Sequence, residues 1–198
     1  MSVLGDLLFY QNNGPTLDDY LRHRGSVVVE ANVNRLPETA FSTKTDDEIV
    51  SQIVAELSMQ PLEVSVDRAQ NEVAEVPVEV RDIFSDRTVR VNGLRATKLI
   101  PFTGMSELWR LQTNPFDVNP PRGTLRGKNL ELGIEVRTGE DAVVAEHIRS
   151  TIANVLECIG RQAAQIAAFN NALPAKVASM VSARRSRLDA AHALKSKF

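Results

Sequence analysis

The stretch IRSTIANVLECIGRQAAQIAAFNNALP, from Ile148 to Pro174, decides how the rest of the chain is read. Two seven-residue series interleave in it: Ile148, Val155, Gln162 and Phe169, then Ile152, Ile159, Ile166 and Leu173. Steps of three and four place these side chains on one stripe of a helix, the a/d seam of a coiled coil. At 1.5 Å per residue the seam runs roughly 40 Å. Gln162 is its polar break, which costs stability and can fix register. Asn170-Asn171 and Pro174 read as a stop, because proline cannot continue a helix but opens one well. A second helix follows, with Val177, Val181 and Leu188 on one stripe and Arg184, Arg185 and Arg187 as a basic cluster. A short break between two helices predicts an antiparallel helical hairpin, coiled-coil-like, over residues 139–198. Its apolar stripe has two uses open to it: joining copies of the chain, or covering the chain's own sheet.

Upstream the period changes to two. Leu62, Val64 and Val66 alternate with polar residues, as do Val76, Val78 and Val80. Asn92-Gly93 lies between alternating runs and suits a two-residue type I′ turn, pairing Val91 with Leu94, Arg90 with Arg95 and Val89 with Ala96. Further strands are expected at Ser106–Leu111 and Leu130–Val136. Between them, residues 114–123 hold three prolines and read as loop. The middle of the chain is therefore an antiparallel meander with one covered face.

The N-terminal third reads as helical. Ser2–Tyr10 is short and apolar, either helix or strand, and Gln11-Asn12-Asn13-Gly14-Pro15 is a turn cluster. Thr16 caps a short helix with Asp18 and Asp19 in its first turn, and Gly25 is expected to stop it. Val27-Val28-Val29 reads as a brief buried strand. Thr45 and Glu48 form a capping box, and Ile49, Ile53, Val54 and Leu57 follow at helical spacing, with Pro61 as the end. The fold class is α+β: an α+β domain over 1–138 with N-terminal helices and a central antiparallel sheet, then the hairpin.

A chain of 198 residues can bury a real core, and with aromatics at only 5% that core leans on Val, Leu, Ile and Ala. Cys158 is the single cysteine, so no disulfide forms within the chain, which fits a reducing compartment. The N-terminus shows neither a basic n-region nor a long apolar run, so no signal peptide and no membrane span are read, and a cytoplasmic protein is expected. Charge is uneven. Residues 1–86 carry 16 acids against 6 bases, residues 87–175 carry 8 against 11, and residues 176–198 carry 1 against 6. Acidic and basic parts either face each other, within the chain or across a dimer, or mark a surface for nucleic acid or an acidic partner; the first is the plainer reading.

Motifs for chemistry are weak. His23, His147 and His192 have no metal-ligand spacing, and Cys158 reads as a small packed residue. Gly123-Thr124-Leu125-Arg126-Gly127-Lys128 has three residues between its glycines where a phosphate loop needs four, and Asn129 where it needs a hydroxyl, so it reads as a strand connection. Asp117 with Glu135-Val136-Arg137 only faintly imitates a magnesium-binding acid pair. No catalytic residue, metal or cofactor is expected. The basic residues are the more serious candidates: Arg87, Arg90, Arg95 and Lys98 on the hairpin, and Arg122, Arg126 and Lys128 on a neighbouring loop. If the two groups meet, they form an anion patch able to hold phosphates of a nucleic acid or nucleotide. The expected self-association seam is Ile148, Ile152, Val155, Ile159, Gln162, Ile166 and Phe169.

Three segments occur in a familiar order: Ile100-Pro101-Phe102-Thr103-Gly104-Met105-Ser106-Glu107-Leu108-Trp109; Asn119-Pro120-Pro121-Arg122-Gly123-Thr124-Leu125-Arg126-Gly127; and Phe169-Asn170-Asn171-Ala172-Leu173-Pro174, followed by Ala183-Arg184-Arg185-Ser186-Arg187-Leu188. Together they resemble the N-terminal region of a group of uncharacterised bacterial proteins that carry a C-terminal effector domain, often of the PD-(D/E)xK restriction-endonuclease type. The resemblance covers roughly residues 60–198 and implies an effector domain beyond Phe198. It carries no nuclease residue onto this chain. The resulting expectation is a non-catalytic regulatory and oligomerisation module of a bacterial defence or DNA-processing protein, homo-oligomeric, with nucleic-acid or nucleotide binding as the alternative and an enzyme in its own right as the third.

Overall fold

The computed structural model describes residues 1–81, 88–113 and 119–197. The order of elements is β1 (Ser2–Val3), β2 (Asp6–Leu7), α1 (Leu17–His23), α2 (Val29–Arg35), α3 (Glu38–Thr43), α4 (Asp46–Leu57), β3 (Glu63–Val64), β4 (Gln70–Arg81), β5 (Thr88–Thr103), β6 (Arg122–Arg126), β7 (Asn129–Arg137) and α5 (Asp141–Lys195). The architecture is α+β, with N-terminal helices, an antiparallel sheet of seven strands and a long C-terminal helix. The chain packs as two compact units, Met1–Pro15 with Pro61–Gln162, and Thr16–Gln60 with Ala163–Phe198. Helix α5 contributes to both, so the units do not follow a boundary at residue 138.

In the first unit the strand order is β2-β6-β7-β5-β3, with β1 on β7 and β4 on β5. Strand β7 is central: β5 runs along one edge, while β6 and β1 share the other. Direct partners in a ladder share a face. Leu130, Leu132, Ile134 and Val136 of β7 therefore lie with Ile100, Lys98, Ala96 and Leu94 of β5. All four β7 residues are fully buried, so this face anchors the core. Val155, Cys158 and Ile159 of α5 are buried in the same unit.

Asn92-Gly93 is not a turn. Strand β5 runs through it without a break in register, pairing Gly93 with Val76 on one side and Arg137 on the other. A Cβ on Gly93 would stand 2.2 Å from Val78 Cγ2 and 2.5 Å from the Val136 carbonyl oxygen. The glycine serves close strand packing rather than a positive φ, and ladders on both edges outweigh the local turn preference. The β4–β5 connection falls at residues 82–87, outside the described residues.

Ser106–Arg110 is a 3-10 helix rather than a strand. Gly104, at φ +91°, follows the end of β5, and a Cβ added to it would stand 2.1 Å from the Pro61 carbonyl oxygen, which leaves room for no side chain. Trp109 then packs against Phe9 at a tilt of 46°, centroids 5.2 Å apart, and meets Phe102 edge-on at 5.4 Å. The 114–123 loop is shorter than expected at its end, since Arg122 and Gly123 pair with Leu7 and Asp6. Residues Gly123–Lys128 belong to β6 and its turn into β7, a strand connection as read from the sequence.

In the second unit Thr16 and Thr45 cap α1 and α4 as expected, the latter in a complete capping box. Gly25 does not end α1, and Val27–Val29 is no strand. The helix continues through a π-helical turn, Arg24–Val28, into α2. Gly25 is buried there, where an added Cβ would lie 3.0 Å from Lys176 Nζ and 3.3 Å from the Phe169 ring; a small residue is needed for contact, not for a stop.

The helical hairpin is likewise corrected. α5 continues through Pro174 as one helix. An interior proline costs about 3 kcal/mol relative to alanine, and packing overrides it. Leu173, Val177 and Val181 are fully buried, and the Asn170 amide both accepts from Met59 N–H (2.9 Å) and donates to Met59 C=O (2.9 Å). A side chain that looked like a helix breaker is a two-point tie to the segment after α4.

Candidate functional site

The basic residues do not converge. Arg126 stands opposite Asn129, and Asn129 opposite Pro101. Arg90 is eleven residues further along β5, roughly 36 Å at ~3.3 Å per residue. Arg95 projects from the face opposite Arg90 and Lys98, by the two-residue alternation of an unbroken strand. Three of the six described cations have local counter-charges. Arg90 meets Glu79 at 3.2 Å, Arg95 meets Glu135 through Nε and Nη2 at 2.9 and 2.6 Å, and Arg126 meets Glu131 at 2.6 Å. Lys98 donates to Asn71 Oδ1 at 3.1 Å. Lys128 donates to the Gly104 carbonyl at 3.2 Å and sits 5.3 Å over the Phe102 ring. Arg87 and Asp117 lie outside the described residues.

The seam residues divide. Val155, Ile159 and Gln162 are buried in the first unit, Ile166 and Phe169 in the second. Gln162 donates to the carbonyls of Leu108 (2.9 Å) and Leu111 (3.0 Å), so its polar head holds the end of the 3-10 helix. Ile148 and Ile152 remain half-buried and line a groove of about 490 Å³ with Val144, Val66, Val73 and Ala96. Val73 is 67% exposed although it sits on the sheet face turned to α5. Lys98, Arg149 and Glu72 give this groove a charged rim of mixed sign.

A second cleft, of about 350 Å³, is polar. It lies between the early turns of α5 and the start of β6, lined by His147, Ser150, Thr151 and Asn154 against Asn119 and Arg122, with Val3, Pro120 and Pro121 as apolar walls. The four α5 residues fall at i, i+3, i+4 and i+7, one helical face. Ser150 and Thr151 donate to the His147 carbonyl at 3.0 and 2.8 Å, and Asn154 donates to the Asn119 carbonyl at 3.3 Å. Burial holds the His147 imidazole below the ordinary histidine range, so near neutral pH it is uncharged and offers one donor and one acceptor. Arg122 donates to the Gly5 carbonyl at 3.3 Å, and among the described residues no carboxylate is paired with it. The spacing of the four α5 residues was visible in the sequence; that residues 119–122 would fold over them was not.

The basic cluster on the last part of α5 has a structural use. Arg184 donates to the carbonyl of Leu36, the C-cap of α2. Arg185 donates to the carbonyls of Phe41 (2.6 Å) and Lys44 (3.1 Å) at the end of α3 and pairs with Asp46 at 2.6 Å. His192 pairs with Glu38. Within this unit the acidic N-terminal helices and the basic helix do face each other.

Cys158 is fully buried. Among the described residues, no group of three or more His, Cys, Asp or Glu side chains is placed to hold a metal ion, and no helix is long and apolar enough to cross a membrane. No family model, no curated protein and no solved structure matches the chain.

Proposed function

We propose that the chain is a non-catalytic regulatory and assembly module of a bacterial defence or DNA-processing protein, and that it associates with a second copy through the groove between α5 and β4–β5. The observation that carries this reading is where the heptad stripe opens. Five of its seven residues are buried in the chain's own core, and the remaining two, Ile148 and Ile152, line an uncovered aliphatic trough opposite the exposed Val73. Contiguous exposed aliphatic surface of this kind marks an interaction site. The likeness of the 100–109, 119–127 and 169–188 segments to modules that precede an effector domain supports the setting.

Light scattering at rising concentration tests it. The chain is expected to form dimers in the micromolar range, and Ile148→Glu with Ile152→Glu, placed at half-buried positions, to shift it to monomer. A strict monomer at high micromolar concentration overturns the assembly reading.

A further inference from the structure

We propose that the second copy docks edge to edge: the first half of β4 pairs antiparallel with the same segment of the other chain, about a two-fold axis at Val73, so that one sheet runs through the dimer. The proposal rests on the assembly reading above and names the contact through which it works.

Among the described residues β4 pairs with β5 alone. Which backbone groups this leaves over follows from the ladder. Phe102 N–H donates to the Lys128 carbonyl, and Ser65 N–H donates to the Pro101 carbonyl. Even-numbered residues of β5 thus bond towards β7, and odd-numbered ones towards β3 and β4. The register sets those odd residues opposite even residues of β4, Gly93 on Val76 and Arg95 on Ala74. The odd residues of β4 therefore turn their N–H and C=O groups to the open edge. Pro77 is one of them, as a proline in a strand must be, since it has no N–H for a ladder.

Open edges are commonly blunted by proline and charge. Pro77 and Glu79 blunt the second half of β4. In the first half the outward residues Asn71, Val73 and Glu75 all keep an N–H. Self-association is most often two-fold. Centred on Val73, such a pair sets Asn71 opposite the second copy's Glu75, Glu72 opposite Ala74 and Gln70 opposite Val76. Each outward pair then exchanges two N–H···O bonds, and no like charges stand directly opposed. Centring on Glu75 would set glutamate against glutamate, and centring on Ala74 would set Val73 against Glu75. In the Val73 register two valines meet on the face turned to α5, covering a side chain that is 67% exposed beside Ile148 and Ile152. Lys98, which donates to Asn71 Oδ1 at 3.1 Å, gains the second copy's Glu75 one strand beyond. The opposing effect is Glu72, diagonal to its own copy on the other face, and salt screens it.

The test is hydrogen exchange of the whole chain, residue by residue, below and above the concentration at which it dimerises. The amides of Asn71, Val73 and Glu75 are expected to gain about tenfold protection or more in the dimer, and that of Glu79 to gain none. Val73→Pro removes an outward N–H and spares the β5 ladder, as Pro77 already does two residues on; it should raise the dimer Kd about tenfold or more. Val73→Cys should cross-link the dimer on oxidation, because paired α-carbons about 5.5 Å apart suit a disulfide and Cys158 is fully buried. A chain that stays monomeric refutes the assembly reading and edge pairing together. A dimer whose Asn71, Val73 and Glu75 amides exchange as in the monomer keeps the assembly reading and overturns edge pairing. Protection of those amides already in the dilute monomer overturns it as well. The exchange measurement uses the unaltered chain, so it decides even where the proline variant fails to fold.

Discussion

Arg185 shows how one side chain stands in for several missing partners. The last carbonyls of a helix have no intrahelical donor, and α3 is short enough that most of its acceptors are terminal. The guanidinium fork reaches two of them, Phe41 and Lys44, while its third edge pairs with Asp46 in the first turn of α4. An ammonium has the charge without the fork. Arg185→Lys is therefore expected to lower unfolding free energy by about 1–2 kcal/mol, discounted for the partial exposure of the pair, in urea denaturation; a lysine variant as stable as the wild type would refute the clamp. His147 makes a prediction in pH. Its burial lowers its pKa in the fold, whereas the unfolded chain titrates near about 6.5. The unfolded chain therefore takes up the proton first, and stability falls as pH drops below that value through the folded pKa. Denaturation midpoints between pH 7 and pH 5 should decline less steeply in His147→Asn than in the wild type.

At the scale of elements, what the sequence displayed depended on whether the deciding partner was local. The capping box at Thr45 and Glu48 is legible because both partners lie within one turn, and the structure contains both bonds. The strand Leu130–Val136 is legible because Leu130, Leu132, Ile134 and Val136 alternate with Glu131, Gly133 and Glu135, the period of a strand with one apolar face. The misread elements all turned on residues whose local preference was outweighed from a distance. Gly93 looked like a turn and is a point of contact between three strands; Gly25 looked like a stop and lies under Phe169; Pro174 looked like a break and sits in a helix held by Leu173 and Val177. The last case has a measurable cost. Pro174 is exposed, so Pro174→Ala leaves no cavity and restores an N–H to the Asn170 carbonyl. It is expected to stabilise the chain by about 1–3 kcal/mol, read as a higher midpoint in urea. An unchanged midpoint would mean that the surrounding turn had already relieved the proline. The polar cleft illustrates the same limit, since half of its lining was a visible helical face and the other half came from a proline-rich segment with no readable period.

For the molecule as a whole, the seam was legible as a stripe but its use was not, because the same period serves self-association and intramolecular cover alike. The structure divides it: residues up to Gln162 are in one unit and those from Ala163 in the other. Both units are assembled from two separated stretches of chain. This has a consequence for biosynthesis. The helices of residues 16–60 leave the ribosome well before the segment 163–198 that completes their unit. Ribosomal synthesis at roughly 5–20 residues per second makes that interval on the order of 10 s. Throughout it, Leu17, Val29, Val33, Ile49 and Ile53, all buried in the finished protein, lack the last stretch of their core. The nascent chain thus carries this apolar surface without its full cover until the final helix emerges.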